Sequence, residues 1–118
     1  MKRILVVGDN ISARYSLRGI LEHEINWRVC GAVDCKVAAT RAQQLKPDLV
    51  ILSMCLPVMN ALAATRAVRK AIPDMPVLVF SEIVSFQLEN AALAIGVNSV
   101  GSATDVLHWV RELFLQSA

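Results

Sequence analysis

Asp9 directly follows Gly8, while Ser53 and Ser81 each close an apolar run, Leu49 to Leu52 and Val77 to Phe80. Together they offer one carboxylate and two hydroxyls. Mg²⁺ is a hard ion that needs carboxylate oxygens to offset its dehydration, so a lone carboxylate among neutral neighbours makes a weak site or none. Ser53 is neutral and has no general base beside it, which leaves a nucleophilic role without its activating partner. The loop Gly8-Asp9-Asn10-Ile11-Ser12 is not a Gly-rich phosphate cradle, and no nucleophile and base can be paired. Asp9 has a plainer use at a helix N-terminus, as a cap or as an acceptor for loop amides. Ser53 and Ser81 can likewise satisfy loop backbone groups.

The remaining reactive side chains point to structure. Cys30, Cys35 and Cys55 are odd in number and lack both Cys-x-x-Cys spacing and His partners, so they read as buried or idle thiols. A Cys35–Cys55 redox contact is the alternative if the fold brings the two together. His23 and His108 fall in separate helical segments and suit surface or interface positions.

These residues are positioned by a regular alternation. Short apolar runs at Ile4 to Val7, Val29 to Val33, Leu49 to Leu52 and Val77 to Phe80, with a weaker one at Val97 to Gly101, have the length of buried strands. Between them Leu17, Ile20 and Leu21, then Leu88, Ala91, Ala92 and Ile95, and finally Leu107, Val110 and Phe114 recur at one-face helical spacing. Asn10 or Ser12 can cap the first helix, Pro73 and Pro76 bracket the turn into the fourth strand, and Gly96 follows the fourth helix. This (βα)₅ order predicts an α/β fold, a doubly wound parallel five-stranded sheet in the order 2-1-3-4-5, as one domain over residues 1–118. In such a sheet, ligands sit at the carboxyl ends of the strands, where Gly8, Asp9, Ser53, Ser81 and the segment Ser102 to Asp105 belong.

Composition narrows the classes. The apolar fraction is 55%, yet no apolar run approaches the roughly 18 residues of a membrane span, and the run after Met1-Lys2-Arg3 is too short for a secretory signal. A cytoplasmic location is expected. The net charge of +2 is dispersed along the chain, which argues against direct nucleic-acid binding.

Three segments carry a family resemblance: Val6-Val7-Gly8-Asp9-Asn10, the stretch from Lys46-Pro47-Asp48 through Ser53-Met54-Cys55-Leu56-Pro57 to Asn60, and Pro76-Val77-Leu78-Val79-Phe80-Ser81. Almost end to end, the chain resembles the receiver domains of bacterial two-component response regulators, especially those preceding a LuxR-like helix-turn-helix domain. The resemblance implies a flavodoxin-like fold and a pocket where an acidic pair and an Asp hold Mg²⁺. That Asp takes a phosphoryl group from a histidine kinase, while a hydroxyl and a Lys contact its oxygens. Matched to these positions, the chain has Gly8 and Asp9, Ser53, Ser81 and Ala103. Val100 stands at the aromatic switch position and Ala61 at a usual Gly. Nucleophile, metal ligand and Lys are all replaced, so phosphotransfer, catalysis and a bound cofactor are not expected.

The predicted role is that of an atypical receiver acting in signal transduction through a protein partner or homodimer. The fourth helix, fifth strand and last helix would supply the surface, with Phe86, Leu93, Trp109 and Leu115 as apolar anchors. A conventional phosphorelay receiver with altered chemistry, and a small-ligand-binding flavodoxin-like domain, are the alternatives.

Overall fold

The computed structural model describes residues 2–53, 58–80, 90, 99–101 and 103–116. Strand β1 spans Lys2–Val7, helix α1 Ile11–Glu22, strand β2 Trp27–Val33, a 3₁₀ turn Cys35–Val37, helix α2 Ala38–Leu45 and strand β3 Leu49–Ser53. Helix α3 follows over Val58–Ala71, then β4 over Val77–Phe80, β5 over Ser99–Gly101 and a C-terminal helix over Ala103–Gln116. The strands form one parallel sheet in the order β2-β1-β3-β4-β5, as the alternation predicts. β1 and β2 begin two residues earlier than their apolar runs, because Lys2 and Trp27 still pair across the sheet. The segment read as the fourth helix and its Gly96 stop lie, but for Asn90, outside the described residues.

Side chains alternate across the sheet, so each central strand feeds two cores. Leu5, Val7, Val50, Leu52, Val77 and Val79 pack on one face against Ala38 and Ala42 of α2 and Ala64 and Val68 of α3. Ile4, Val6, Leu49, Ile51, Leu78 and Phe80 pack on the other against Leu17 and Leu21 of α1 and Val110 of the C-terminal helix. The edge strand β2 departs from regular pairing: Ile4 faces Val29 but Leu5 faces Gly31, so Cys30 is the extra residue of a bulge. Directly after it Gly31 meets the Leu45 side chain, where a Cβ would come within 3.0 Å of Cδ1.

The joints are closed by hydrogen bonds. Asn10, rather than Ser12, caps α1, its Oδ1 accepting from the Ala13 N–H at 2.9 Å. Helix α2 ends on Lys46 with φ of 49°, and Arg3 donates to the carbonyls of Leu45 and Lys46 there while its own N–H bonds Asp48 Oδ2 at 2.7 Å. Arg69 does the same for α3, donating to the Pro73 and Met75 carbonyls in the turn that Pro73 and Pro76 bracket. On the other face of the sheet, Phe114 meets Trp27 edge-on, with ring centroids 5.8 Å apart. Arg111 pairs with Glu24 and ties the C-terminal helix to the turn after α1.

Leu52 is fully buried between strand neighbours and helix, so Leu52→Ala is expected to cost about 2–5 kcal/mol in urea unfolding. Asn10→Ala, which removes one cap bond, is expected to cost about 1 kcal/mol in the same measurement.

Candidate functional site

The carboxyl ends of β1 and β3 lie side by side, with Val7 opposite Leu52, and this register brings Gly8 next to Ser53. Gly8 is buried and its N–H donates to the Val33 carbonyl at 2.9 Å, joining the end of β1 to the end of β2. A Cβ at Gly8 would lie 3.0 Å from Ser53 Cβ, 3.2 Å from the Ser53 carbonyl oxygen and 3.6 Å from Arg14 Cγ. Glycine fits here because the two strand ends leave no room for a side chain. Ser53 is itself 3% exposed, as the last buried residue of β3. The floor of the pocket is therefore a bare backbone against a small neutral side chain.

Asp9 is exposed at the rim, and its Oδ1 accepts the Cys35 N–H at 3.0 Å. The bond ties the loop after β1 to the 3₁₀ turn after β2. Of the two plainer roles open to Asp9, this is the loop-amide one; the α1 cap belongs to Asn10. Asp34 acts similarly one residue before that turn, its Oδ1 accepting the Lys36 and Val37 N–H groups.

The other predicted positions are distributed as follows. Phe80, the last residue of β4, pairs with Ser53 on one side and Gly101 on the other. Val100 lies in β5 opposite Val79, and Ala103 opens the C-terminal helix. Ser81, Phe86 and Leu93 lie outside the described residues, as does Cys55. Of the anticipated partner surface, Leu115 is 72% exposed, whereas Trp109 is half-buried against the core on the α1 side of the sheet. Sequence reading passed over Arg14, one helical turn after the cap residue Asn10, whose stem lies over Gly8. It also passed over the Cys35 backbone amide; no side-chain type announces a backbone donor.

Among the described residues, the donors gathered here are one carboxylate already accepting a backbone N–H, one hydroxyl and backbone carbonyls. Among the described residues no three His, Cys, Asp or Glu side chains cluster as a metal site would require. Cys30, at the β2 bulge, is half-buried and donates to the Ile4 carbonyl with Sγ to O of 3.5 Å. Burial pushes its thiol above the ordinary value, offset in part by the nearby Arg3 charge.

The family model described as response regulator receiver domain matches residues 4–102. The response regulator protein VraR of Staphylococcus epidermidis is 27% identical over 117 residues, covering 95% of this chain and 56% of that protein. A protein-glutamate methylesterase/protein-glutamine glutaminase of Methanococcoides burtonii is 33% identical over 84 residues, 70% of this chain and 24% of its own length. The chain thus spans about half of the one relative and a quarter of the other. Among solved structures, the LuxR-family response regulator from Aurantimonas superposes with TM-score 0.86 at 19% identity, covering 97% of this chain and 85% of that one. The response regulator domain of Thermotoga maritima CheB does so with TM-score 0.83 at 23% identity, covering 95% of each. Among the described residues no helix is long and apolar enough to cross a membrane.

Two glycines give opposite expectations. Gly8→Ala forces Ser53 and its strand to shift and is expected to cost about 1–3 kcal/mol. Gly19→Ala, mid-helix with nothing within 4 Å, is expected to stabilise by about 0.5–1 kcal/mol, both read by urea unfolding. For Cys30 the sign follows from proton binding. With a raised folded-state pKa, the unfolded chain loses the proton first as pH rises. The contribution is therefore full below the ordinary thiol value of 9.0 and is lost as pH rises through the folded one. Stability measured against pH should fall more steeply above that point in the wild type than in Cys30→Ala.

Proposed function

Because this chain belongs to the response regulator receiver domain family, we propose that it serves two-component signal transduction as a binding module that works without phosphorylation. Membership supplies the role in signalling; the absence of phosphotransfer is our reading of the pocket. The observation that carries it is the contact between Gly8 and Ser53, where a Cβ on residue 8 would come within 3.0 Å of the serine Cβ. A hydroxyl without a base or cation is a poor acceptor for a phosphoryl group, since the reaction needs an anionic nucleophile and positive charge on the transferring oxygens. Ser53 has neither a carboxylate at residue 8 nor a Lys at residue 103.

Mg²⁺ finds equally little. Among the described residues at the strand ends, the carboxylate of Asp9 accepts the Cys35 N–H, and Mg²⁺ dehydrates only for a richer oxygen set. On this reading the chain needs no cofactor and performs no reaction. Its output is contact with a protein partner, to which Leu115 on the C-terminal helix contributes an exposed apolar side chain.

The test is a backbone amide NMR titration with Mg²⁺ and beryllofluoride, alongside incubation with a radiolabelled small phosphodonor. We expect unchanged peaks at Asp9, Ser53 and their neighbours and no label on the protein. Saturable shifts there, or label lost in a Ser53→Ala variant, would restore the phosphorelay reading.

A further inference from the structure

We propose that the outer face of α2 and α3 docks an acidic helix of a protein partner. The inference rests on the reading above that this chain works by contact with a partner, and it holds whatever becomes of the Gly8–Ser53 pocket.

Together α2 and α3 hold Arg41, Arg66, Arg69 and Lys70 and not one Asp or Glu. The whole chain is only +2, so everything outside these two helices is net negative. Dispersed along the sequence, the cations are gathered by the fold, because α2 and α3 cover the same face of the sheet and the 3₁₀ turn carrying Lys36 packs beside them. Lys36, Arg41, Arg66 and Lys70 are exposed, and among the described residues none of them forms an ion pair. The ion pairs found there, Arg18–Glu22 and Arg111–Glu24, both lie on the opposite side, at α1 and the C-terminal helix. Of the acidic residues in the adjoining turns, Asp34 accepts two backbone N–H groups, Asp48 accepts the Arg3 N–H, and Asp74 stands exposed after α3.

Local needs account for part of this pattern. Arg69 holds the Pro73 and Met75 carbonyls, and Lys70, in the last turn of α3, faces the negative end of the helix dipole. That field falls off within one turn, so it explains neither Arg66 nor Arg41, whose guanidinium reaches Gln44 on its own helix. Arg66 and Lys70 lie four residues apart on the exposed side, and like charges at that spacing weaken a helix. Carboxylates from outside turn the repulsion into attraction. Glutamates four apart on a docked helix stand about 5–6 Å from each other, the same spacing as Arg66 and Lys70, and an arginine fork takes a carboxylate through two bonds. Other anionic occupants need features this face lacks. A single-stranded nucleic acid stacks its bases on aromatic rings, and a lipid surface takes in large apolar side chains. Between these cations the exposed residues are Thr40, Gln43, Gln44, Ala63 and Ala67, small or polar side chains that let a helix come close.

The test is a backbone amide NMR titration of the whole chain with a helical peptide of about 15 residues, built from Glu, Ala and Leu with its glutamates four apart. Its Lys-for-Glu counterpart, a short DNA duplex and phosphatidylglycerol vesicles are titrated in parallel. Saturable shifts are expected with the Glu peptide at Arg41, Arg66, Lys70 and their neighbours, and none with the Lys peptide. The affinity falls between about 20 and about 200 mM salt, because exposed charge pairs are screened. Arg66→Glu with Lys70→Glu is expected to weaken binding by about ten-fold or more, and the milder Arg66→Gln with Lys70→Gln by about three-fold or more. Circular dichroism melts confirm that both variants are folded. Absence of saturable shifts on α2 and α3, binding indifferent to both double variants, or a preference for the duplex or the vesicles over the Glu peptide overturns the proposal. Loss of peptide binding with an unchanged beryllofluoride response leaves the pocket reading intact, and the converse result strikes only that reading.

Discussion

Every residue from Ile4 to Val7 and from Leu49 to Ser53 is buried, on both faces of the sheet. A parallel strand in that position must be covered twice, because its crossover connections place helices on both sides and its side chains alternate between them. The two cores divide accordingly, with α2 and α3 over Leu5, Val7, Val50 and Leu52, and α1 and the C-terminal helix over Ile4, Val6, Leu49 and Ile51. Arg3, Arg69 and the Arg111–Glu24 pair then fasten the helix ends at the sheet's margins. Those bonds are set by where the doubly covered strands force each helix to stop.

The same constraint builds the pocket. Two central strands in register deliver their next residues to neighbouring points, so Gly8 and Ser53 meet without any interaction between them being required. What that meeting can do depends on side chains the sheet does not dictate. A carboxylate pair there would concentrate negative charge and attract a cation; a glycine and a serine close the floor instead. Asp9 holds the β2 loop through the Cys35 amide. The scaffold and its chemistry are separable in this way, which is why membership in the receiver family fixes the architecture while leaving the mechanism to the residues actually present.

Helix α1 shows how one element answers to two environments. Its inner face is held by apolar packing, and its outer face carries Ile11, Tyr15 and the Arg18–Glu22 pair, which the fold does not need. Exposed pairs of this kind add only about 0.3–0.5 kcal/mol, so folding does little to dictate residue types on that face.

Local pattern determined much of this protein. The strands at Ile4 to Val7, Leu49 to Leu52 and Val77 to Phe80 and the inner face of α1 were legible because burial on a fixed period leaves apolar residues at that period. The family resemblance also pointed to Gly8, Asp9 and Ser53 as the positions to inspect. Three things were decided only by tertiary structure. The β2 bulge at Cys30 depends on how β1 and β2 pair. The partner of Asp9 is a backbone amide 26 residues away, invisible to any reading of side-chain types. Trp109 turned out half-buried against the sheet, while Leu115 stayed exposed. Helical spacing ranks faces relative to one another, but only the depth of the neighbouring strand and helix sets how much of a large ring is covered.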